Sequence, residues 1–195
     1  MSERHPTATI YSFEPLAGPF SALQAKTSGV SRCKAFNFAL GDADAEVEIH
    51  RSAYSPSSSI LPMTNLHREA FPISAEDGGT ERIQIRRLDD LARELDLKDA
   101  LLVKVDVQGF EANVIRGGCQ TLSRAEVLIV ETSFQTLYQG QPLFDDVYQM
   151  LKSLGFSYAG NWDQLLDPRT GFVLQADGIF LKAPLNTAVG DFGTV

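Results

Sequence analysis

Apolar residues recur along the chain with two different spacings, one typical of helices and one typical of strands. The clearest helical pattern covers 141–156 and ends at Gly155, which provides a stop. Weaker patterns predict further helices over 15–26, 88–97 and 111–118. The apolar face of the clearest helix comprises Leu143, Phe144, Val147, Met150, Leu151 and Leu154.

Short runs that are wholly apolar, or that alternate apolar with polar residues, predict the strands. A Ser/Pro-rich loop is expected at 52–63, and 64–79 shows little periodicity. The predicted strands are 7–13, 33–40, 45–51, 81–88, 101–106 and 125–131, followed by two closing strands at 172–175 and 178–183.

Nearly apolar strands that alternate with amphipathic helices indicate an α/β fold, with a parallel sheet covered on both faces. No internal repeat, low-complexity tract or linker interrupts the pattern, so a single domain over 1–195 is expected. Within it, residues 183–195 are predicted to form a loose tail.

The composition is that of an ordinary globular protein, with 44% hydrophobic and 22% charged residues in a chain of 195. The net charge of −8 and the lack of a basic cluster argue against a nucleic-acid partner, because such binding needs a surface that neutralises phosphates. The longest apolar runs are too short to cross a bilayer, so no membrane partner is expected.

The two cysteines, Cys33 and Cys119, are isolated in the sequence and form neither a metal-binding spacing nor a disulfide framework. The N-terminal residues contain no long apolar core and no small-residue cleavage site, which predicts the absence of a signal peptide. We therefore expect a protein of the reducing cytoplasm that needs no metal.

Three carboxylates, Glu14, Asp106 and Glu131, are predicted at the carboxyl ends of strands. This is the edge of an open α/β sheet at which ligands bind. Glu14 has two interpretations. It accepts hydrogen bonds from ribose hydroxyls, or it satisfies free backbone N–H groups at the helix start that Pro15 marks.

Lys104 is unusual in an otherwise apolar run and shares a strand face with Asp106. A buried lysine needs a partner, so a charge cluster of Lys104, Asp106 and Glu131 is expected. The cluster is either a structural salt bridge or the polar floor of a site. In the second case Asp106 or Glu131 acts as general base or substrate anchor.

The residues after Asp106 predict a tight turn into a helix. Gly109 allows the turn, and Glu111 falls in the first helical turn, where the helix dipole favours a carboxylate. Capping is therefore a sufficient role for Glu111, and Gln108 is expected to face either the site or solvent.

A serine loop and a histidine also carry candidate chemistry. The loop 55–59 offers hydroxyls but is by default a solvated loop. His67 lies in the irregular stretch, where lids occur, and is a better candidate base than His50. Neither histidine has metal-ligand spacing, and no Ser-His-Asp arrangement, nucleophile elbow or phosphate-binding loop is visible.

The segment KVDVQGFEANVIRGG, residues 104–118, resembles the signature of the FkbM-type methyltransferases, which use S-adenosylmethionine. Other segments follow the family's order, and the resemblance extends over 8–182. It implies a Rossmann-like sheet, mostly parallel with an antiparallel C-terminal strand. It also implies O-methylation of a hydroxyl on a sugar or a secondary metabolite. The other matching segments are IYSFEP, NFALGD, SSS, RRLDDL, VLIVE and DGIFL.

The resemblance implies a set of residues that bind the cofactor. Glu14 would bind the ribose of S-adenosylmethionine, and the turn at Leu40, Gly41 and Asp42 would lie near the adenine. Asp106 would stand at the end of the central strand, beside the methyl-transfer centre.

The expected acceptor is a small molecule or a glycan that carries the hydroxyl. The candidate catalytic groups are Asp106, which the resemblance places beside the methyl-transfer centre, and His67 and Glu131, which their predicted positions single out. The identity of the general base stays open. The candidates for shaping the substrate side of the site are Ser58, Ser59, Gln108 and Glu111.

One feature of the family is absent. The family's domain begins with a strand and a Gly-rich loop that cradles the methionine part of the cofactor, since glycine permits close backbone approach. Residues 1–7 are too few for these elements, and no Gly-x-Gly occurs in the sequence. The expected alternatives are an active methyltransferase and a truncated, non-catalytic domain that binds the cofactor weakly or not at all.

Two further expectations concern missing elements. The sequence lacks a dinucleotide-binding fingerprint, which argues against a nucleotide-binding enzyme of another class. A sheet without its central strand has open edges, and such edges recruit strands from other chains, so a homo-oligomer is expected.

Overall fold

The computed structural model describes residues 7–98 and 100–182, which form a mixed α/β structure. The predicted loose tail at 183–195 lies outside the described residues. The strands are β1 (Ile10–Phe13), β2 (Cys33–Phe36), β3 (Ala39–Leu40), β4 (Ala45–Ser52), β5 (Asp77–Arg86), β6 (Leu102–Val105), β7 (Val127–Ser133), β8 (Phe156–Leu166) and β9 (Val173–Lys182). The helices are α1 (Ala17–Thr27), α2 (Asn65–Ala70), α3 (Leu88–Leu91), α4 (Glu111–Gly117), α5 (Cys119–Leu122) and α6 (Phe144–Ser153).

The described strands form three sheets. β1 and β2 pair in parallel. In the second sheet β5 lies between β3, to which it is parallel, and β4, to which it is antiparallel. The third sheet has the order β6-β7-β9-β8, in which only β6 and β7 are parallel. The third sheet carries the residues of greatest chemical interest at one edge.

The largest apolar core packs helices α4 and α6 against the third sheet. The helix predicted over 141–156 is found as the shorter α6, whose Val147 and Leu151 are buried in this core as expected. Phe156, at the end of the predicted range, is the first residue of β8. Burial of each such side chain contributes about 1.5–3 kcal/mol. Phe13 of β1 packs against the same core, so β1 is held close to it although it belongs to another sheet.

The predicted strand 33–40 is wrong as one element, because the chain leaves β2 at Phe36 and enters a different sheet at Ala39. The physical reason lies in Asn37, whose Nδ2 donates to the backbone oxygens of Glu14 and Pro15 at 3.0 and 2.9 Å. This side chain holds the end of β2 against the end of β1 and turns the chain away.

The predicted helix 88–97 is also too long, since α3 spans only four residues. Asp89 lies in the first turn of α3, and its buried carboxylate faces α5. Its carboxylate accepts from the backbone N–H and the hydroxyl of Thr121, both at 2.8 Å, and from the N–H of Gln120 at 3.1 Å. Asp89 therefore satisfies the free N–H groups of α5.

The expected antiparallel C-terminal strand is found as β9, whereas the expectation that the sheet is mostly parallel is wrong. Among the described strands, three pairings are parallel and three are antiparallel. The sequence pattern missed β8 because most of its side chains are exposed at the edge of the sheet. The two predicted closing strands are one strand, β9, since Ala176 and Asp177 both pair with β7.

Within residues 7–98 and 100–182, none of the helices has the length and apolarity needed to cross a bilayer.

Candidate active site

The residues that follow β6 meet β7 and β9 at one edge of the third sheet. Asp106 comes directly after β6, and Glu131 lies in β7 opposite Asp177 of β9. Because β6 and β7 are parallel, their carboxyl ends share this edge. The sequence predicts Glu131 at the end of its strand, but β7 continues to Ser133, since Thr132 and Ser133 also pair with β9.

Gln108 joins two of these carboxylates through its side-chain amide. The Nε2 atom donates to Asp106 Oδ1 at 2.8 Å and to Glu131 Oε2 at 2.9 Å. The Oε1 atom accepts from the Tyr138 hydroxyl at 2.8 Å, and the backbone oxygen accepts from Ser59 Oγ at 2.6 Å. Gln108 therefore lies at the centre of the cluster, and its side chain is directed into the site.

The turn around Gln108 has an unusual backbone at two consecutive positions. Gln108 and Gly109 have φ angles of 54° and 93°. Glycine adopts this left-handed region freely, whereas a residue with a Cβ does so at a cost of about 1–2 kcal/mol. The four hydrogen bonds of Gln108 offset this cost. A strained backbone that positions a polar side chain is a frequent feature of functional sites.

Glu111 closes the turn from the start of α4. It is only 3% exposed, and its Oε1 accepts from the backbone N–H groups of Val107 and Gly109 at 3.2 and 3.1 Å. Burial raises the pKa of Glu111 to about 7, because the charged form loses its hydration, while the backbone hydrogen bonds oppose this effect. The capping role that the sequence allows for Glu111 agrees with these contacts.

We expect the Glu111→Gln variant to lose part of the pH dependence of stability. The folded protein keeps the Glu111 proton up to about pH 7, and the unfolded chain releases it near pH 4.5. The free energy of unfolding therefore falls as the pH rises through this window, by up to about 3 kcal/mol. Glutamine keeps an oxygen for both N–H groups and has no proton to lose. Urea unfolding at several pH values should therefore show a shallower slope of the free energy of unfolding against pH.

The matched control is Glu48→Gln, which removes the same charge from an exposed position on β4. The slope of this control should stay close to that of the wild type. Equal slopes in Glu111→Gln and the wild type would contradict the assignment of the titrating group.

Lys104 forms two ion pairs, but neither is with Glu131. Its Nζ lies 2.8 Å from Asp177 Oδ2 and 3.3 Å from Asp106 Oδ2. The expected cluster of Lys104, Asp106 and Glu131 is found with a changed arrangement, since Gln108 connects Glu131 to Asp106. Asp177 takes the place expected for Glu131 because the antiparallel β9 brings it alongside.

Negative charge exceeds positive charge at this edge of the sheet. Among the described residues, the three carboxylates of Asp106, Glu131 and Asp177 lie at this edge, and the ammonium group of Lys104 pairs with two of them. Burial raises the pKa of Glu131 well above its ordinary value, and the neighbouring charges of Asp106 and Glu111 add to this effect. The arrangement favours either a bound cation or a proton on Glu131.

The serine loop contributes one hydroxyl to the cluster and directs another away from it. Ser59 is buried and donates to the backbone oxygen of Gln108. The Ser58 hydroxyl instead accepts from the backbone N–H of Ser52 at 3.1 Å, at the end of β4. Ser59 is therefore the residue that joins the loop to the turn after β6.

His67 occupies a buried position behind Tyr138. It lies in α2, its Nε2 is 2.9 Å from Ser74 Oγ, and its ring packs edge-on against Tyr138 with centroids 5.0 Å apart. Burial lowers the pKa of His67 to about 4, so the ring is neutral at pH 7. Among the described residues, no hydrogen bond joins His67 to Asp106, Gln108 or Glu131.

Glu14 uses one of its two carboxylate oxygens at the start of α1. Oε1 accepts from the backbone N–H of Leu16 at 2.9 Å, as the capping interpretation expects. Within residues 7–98 and 100–182, Oε2 makes no hydrogen bond. Burial raises the pKa of Glu14. The geometry is compatible with both interpretations at once, since a second oxygen is left for a ligand.

The turn at Leu40, Gly41 and Asp42 packs tightly on α4. A Cβ built on Gly117 would lie 1.7 Å from the backbone oxygen of Gly41. Asp42 Oδ2 accepts from Arg116 Nε at 3.1 Å and from the Asn113 side chain. Leu40 packs against the largest core. The turn is therefore fixed by α4, the helix that begins at Glu111.

Sequence comparison places the chain among known proteins. A family model described as the methyltransferase FkbM domain matches residues 2–158. The chain belongs to the FkbM methyltransferase family. No solved structure matches it.

Two curated relatives are similar to this FkbM methyltransferase domain. The 2-O-methyltransferase NoeI of Sinorhizobium fredii is 30% identical over 155 residues, which cover 76% of this chain and 63% of NoeI. Methyltransferase 1 of Beauveria bassiana is 29% identical over 170 residues, which cover 82% of this chain and 67% of the relative. The chain thus spans about two thirds of the length of the curated relatives it matches.

Two residues at the site of this FkbM-family chain were missed by sequence reasoning. Tyr138 is fully buried, and its hydroxyl donates to Gln108 Oε1. Its side chain packs closely on Gly109, since a Cβ added to Gly109 would lie 3.1 Å from Tyr138 Cβ. Gln175 is buried in β9 and donates to Glu131 Oε2 at 3.1 Å. Tyr138 lies between the strand predicted at 125–131 and the helix predicted at 141–156, and Gln175 is the last residue of the strand predicted at 172–175. The residues around them form no motif that would indicate a place in the site.

Among the described residues, no group of histidine, cysteine, aspartate and glutamate side chains is arranged to hold a metal ion.

Proposed function

We propose that the chain is a cytoplasmic S-adenosylmethionine-dependent O-methyltransferase that acts on a hydroxyl of a sugar or a secondary metabolite. The observation that carries the proposal is the cluster of Asp106, Gln108 and Glu131, which lies on the segment that resembles the family signature. The printed function of NoeI, 2-O-methyl transfer, supports oxygen as the acceptor atom.

The charges of the cluster fit the cofactor that the family implies. S-adenosylmethionine, when bound, supplies a methyl group on a positively charged sulfur. Asp106, Glu131 and Asp177 exceed the charge of Lys104, so the edge of the sheet favours a cation. The attraction is stronger here than in water, because Glu131 is partly buried and the effective dielectric constant is lower.

The residues near β1 and β3 fit the rest of the cofactor. Glu14 keeps Oε2 for a ribose hydroxyl while Oε1 holds the start of α1. The turn at 40–42 is fixed by α4 at the end of the short strand β3 and would lie near the adenine. Residues next to Glu14 and in β3 pack into the two apolar cores, which fixes the position of both segments.

The protein's own contribution to the reaction is alignment and proton transfer. The acceptor hydroxyl is held in line with the methyl group, and such orientation supplies several kcal/mol of the rate enhancement. A carboxylate of the cluster, or His67, takes the hydroxyl proton. Gln108, Glu111 and Ser59 hold the turn that carries Asp106.

The second candidate function is a non-catalytic methyltransferase-like domain that binds the cofactor weakly or not at all. The specific observation in its favour is the sequence itself, which contains no Gly-x-Gly loop to approach the methionine part closely. The acidic cluster at the sheet edge would then be a structural network.

Calorimetric titration with S-adenosylmethionine and its demethylated product separates the two functions. We expect micromolar binding by the wild type. Glu14→Gln should weaken it about tenfold, since a hydrogen bond to a charged group is lost. Glu48→Gln, at an exposed position on β4, is the matched control and should bind like the wild type. No binding of either ligand by the wild type would favour the non-catalytic domain.

A further inference from the structure

We propose that Glu131 accepts the proton of the acceptor hydroxyl through its Oε1, and that Gln108 is the positioning residue that holds Glu131 for this task. The inference rests on the proposed methyltransferase function and assigns its general base. Three candidates were open from the sequence, namely Asp106, His67 and Glu131, and their contacts distinguish them.

Glu131 has one engaged oxygen and one available oxygen. Oε2 accepts from Gln108 Nε2 at 2.9 Å and from Gln175 Nε2 at 3.1 Å. In the described part of the chain, Oε1 has no hydrogen-bond partner, and it is not among the buried polar atoms that lack one. Two amide donors thus fix the carboxylate by a single oxygen and leave the other for a ligand.

Asp106 lacks such an available oxygen. Its Oδ1 accepts from Gln108 at 2.8 Å, and its Oδ2 lies 3.3 Å from Lys104 Nζ. Both oxygens are therefore engaged by protein groups, and neither is left for the hydroxyl of an acceptor. Asp106 is placed to stabilise a cation by its charge, whereas Glu131 has an oxygen free for the hydroxyl.

His67 is closed off from the cluster. Its Nε2 is engaged with Ser74, and its Nδ1 is buried without a hydrogen-bond partner among the described residues. With a pKa of about 4, the ring also holds a proton weakly at neutral pH. His67 supports the ring of Tyr138, whose hydroxyl contacts Gln108.

The amide of Gln108 is oriented by its neighbours. Two carboxylate oxygens lie within 2.9 Å of its nitrogen, and the Tyr138 hydroxyl lies 2.8 Å from its oxygen. Carboxylates accept hydrogen bonds and a phenol donates one, so this orientation satisfies all three groups. The backbone of Gln108 has a left-handed φ of 54° while its amide lies between Asp106 and Glu131.

The step transfers a methyl group to the hydroxyl and a proton to Glu131. The hydroxyl oxygen forms the new bond to the methyl carbon, and the carbon–sulfur bond breaks with its electron pair going to sulfur. The hydroxyl proton goes to Glu131 Oε1. No oxidant, reductant or metal is consumed. Release of the proton to water restores the carboxylate. The charged or titratable groups around Glu131 are Lys104, Asp106, Glu111, Tyr138 and Asp177.

The first test uses Glu131→Gln and Gln108→Gly in the full chain. Glycine suits a φ of 54°, so the second variant deletes the amide without straining the backbone. Glu131→Gln should lower turnover at least about 100-fold at every pH, measured at saturating cofactor so that a weaker attraction for the cationic cofactor does not contribute. Gln108→Gly should move the acidic limb of turnover about one pH unit higher, because Glu131 loses a donor that stabilises its charged form.

A matched control removes a glutamine side chain from an exposed loop position, as in Gln139→Gly, and should leave the pH profile in place. Full turnover by Glu131→Gln would overturn the assignment of the base. An equal loss of turnover at all pH values in Gln108→Gly would overturn its positioning role and leave a structural one.

A second readout needs no cofactor. The pH dependence of urea unfolding is compared in the wild type, Gln108→Gly, Glu131→Gln and the double variant. Gln108→Gly should change this dependence more when Glu131 is present than in the Glu131→Gln background, where only the contact with Asp106 is lost. The same change in both backgrounds would overturn the coupling between the two residues.

The two tests also separate this inference from the proposed function. Failure of the wild type to transfer a methyl group would overturn the proposed function, and the proton-accepting role of Glu131 with it. Methyl transfer by the wild type together with full activity of Glu131→Gln would overturn only the inference.

Discussion

Replacement of Gly117 with alanine is expected to cause the largest loss of stability of any single methyl addition in the site region. The new Cβ would lie 1.7 Å from the Gly41 oxygen, 2.6 Å from the Gly41 carbonyl carbon and 3.0 Å from the Asp42 Cα. All three atoms belong to the backbone, so no flexible side chain can move aside. The turn at 41–42 and helix α4 must therefore separate. We expect the free energy of unfolding to fall by at least about 3 kcal/mol.

The Gly117 variant should also affect the site. Helix α4 begins at Glu111, which holds the turn that carries Gln108, and ends at Gly117, which contacts the turn at 40–42. Urea unfolding measures the stability loss, and calorimetric titration measures the loss of cofactor affinity. Gly18→Ala is the matched control, since it lies in α1 with no atom within 4 Å of the new Cβ. This control should gain up to about 1 kcal/mol from helix propensity. Wild-type stability of Gly117→Ala would contradict the close packing of the turn on α4.

The second large effect is expected in turnover for Asp106→Asn. Asparagine has nearly the same shape and keeps an oxygen for Gln108 Nε2, but it removes the charge that pairs with Lys104. If Asp106 stabilises a cationic sulfur beside the transferred methyl group, turnover should fall about 100-fold or more, as with other preorganised electrostatic groups. Steady-state kinetics at saturating cofactor measures the effect.

Asp163→Asn serves as the matched control for Asp106→Asn. Asp163 is exposed on the edge strand β8, and its carboxylate accepts only from the neighbouring Gln164 backbone N–H among the described contacts. The control should keep wild-type turnover. Unchanged turnover in Asp106→Asn would remove Asp106 from the mechanism.

The elements with a strong periodic pattern were predictable from the sequence. The apolar face of α6 and the order of Asp106, Gly109 and Glu111 around a tight turn are found as expected. β8 was not predictable, because an edge strand with exposed side chains has no apolar alternation. The break at Asn37 depends on contacts with residues about twenty positions earlier, and a local pattern does not contain them.

The site itself was only partly predictable, for a similar reason. The sequence placed Asp106 and Glu131 near one sheet edge because parallel strands bring their ends together. It did not reveal Tyr138 or Gln175, which reach the cluster through a loop and through the antiparallel strand β9. Gln108 had two possible orientations in the sequence, and its hydrogen bonds to four residues decide between them.

The central claim is that this chain transfers a methyl group from S-adenosylmethionine to a hydroxyl. The most direct measurement incubates it with cofactor labelled in the methyl group and a panel of hydroxylated saccharides and small molecules. Label in the acceptor and acceptor-dependent formation of the demethylated cofactor are the result that we predict, with both lost in Asp106→Asn. A folded wild-type chain that binds neither the cofactor nor its product, and labels no acceptor, would contradict the claim and favour a non-catalytic domain.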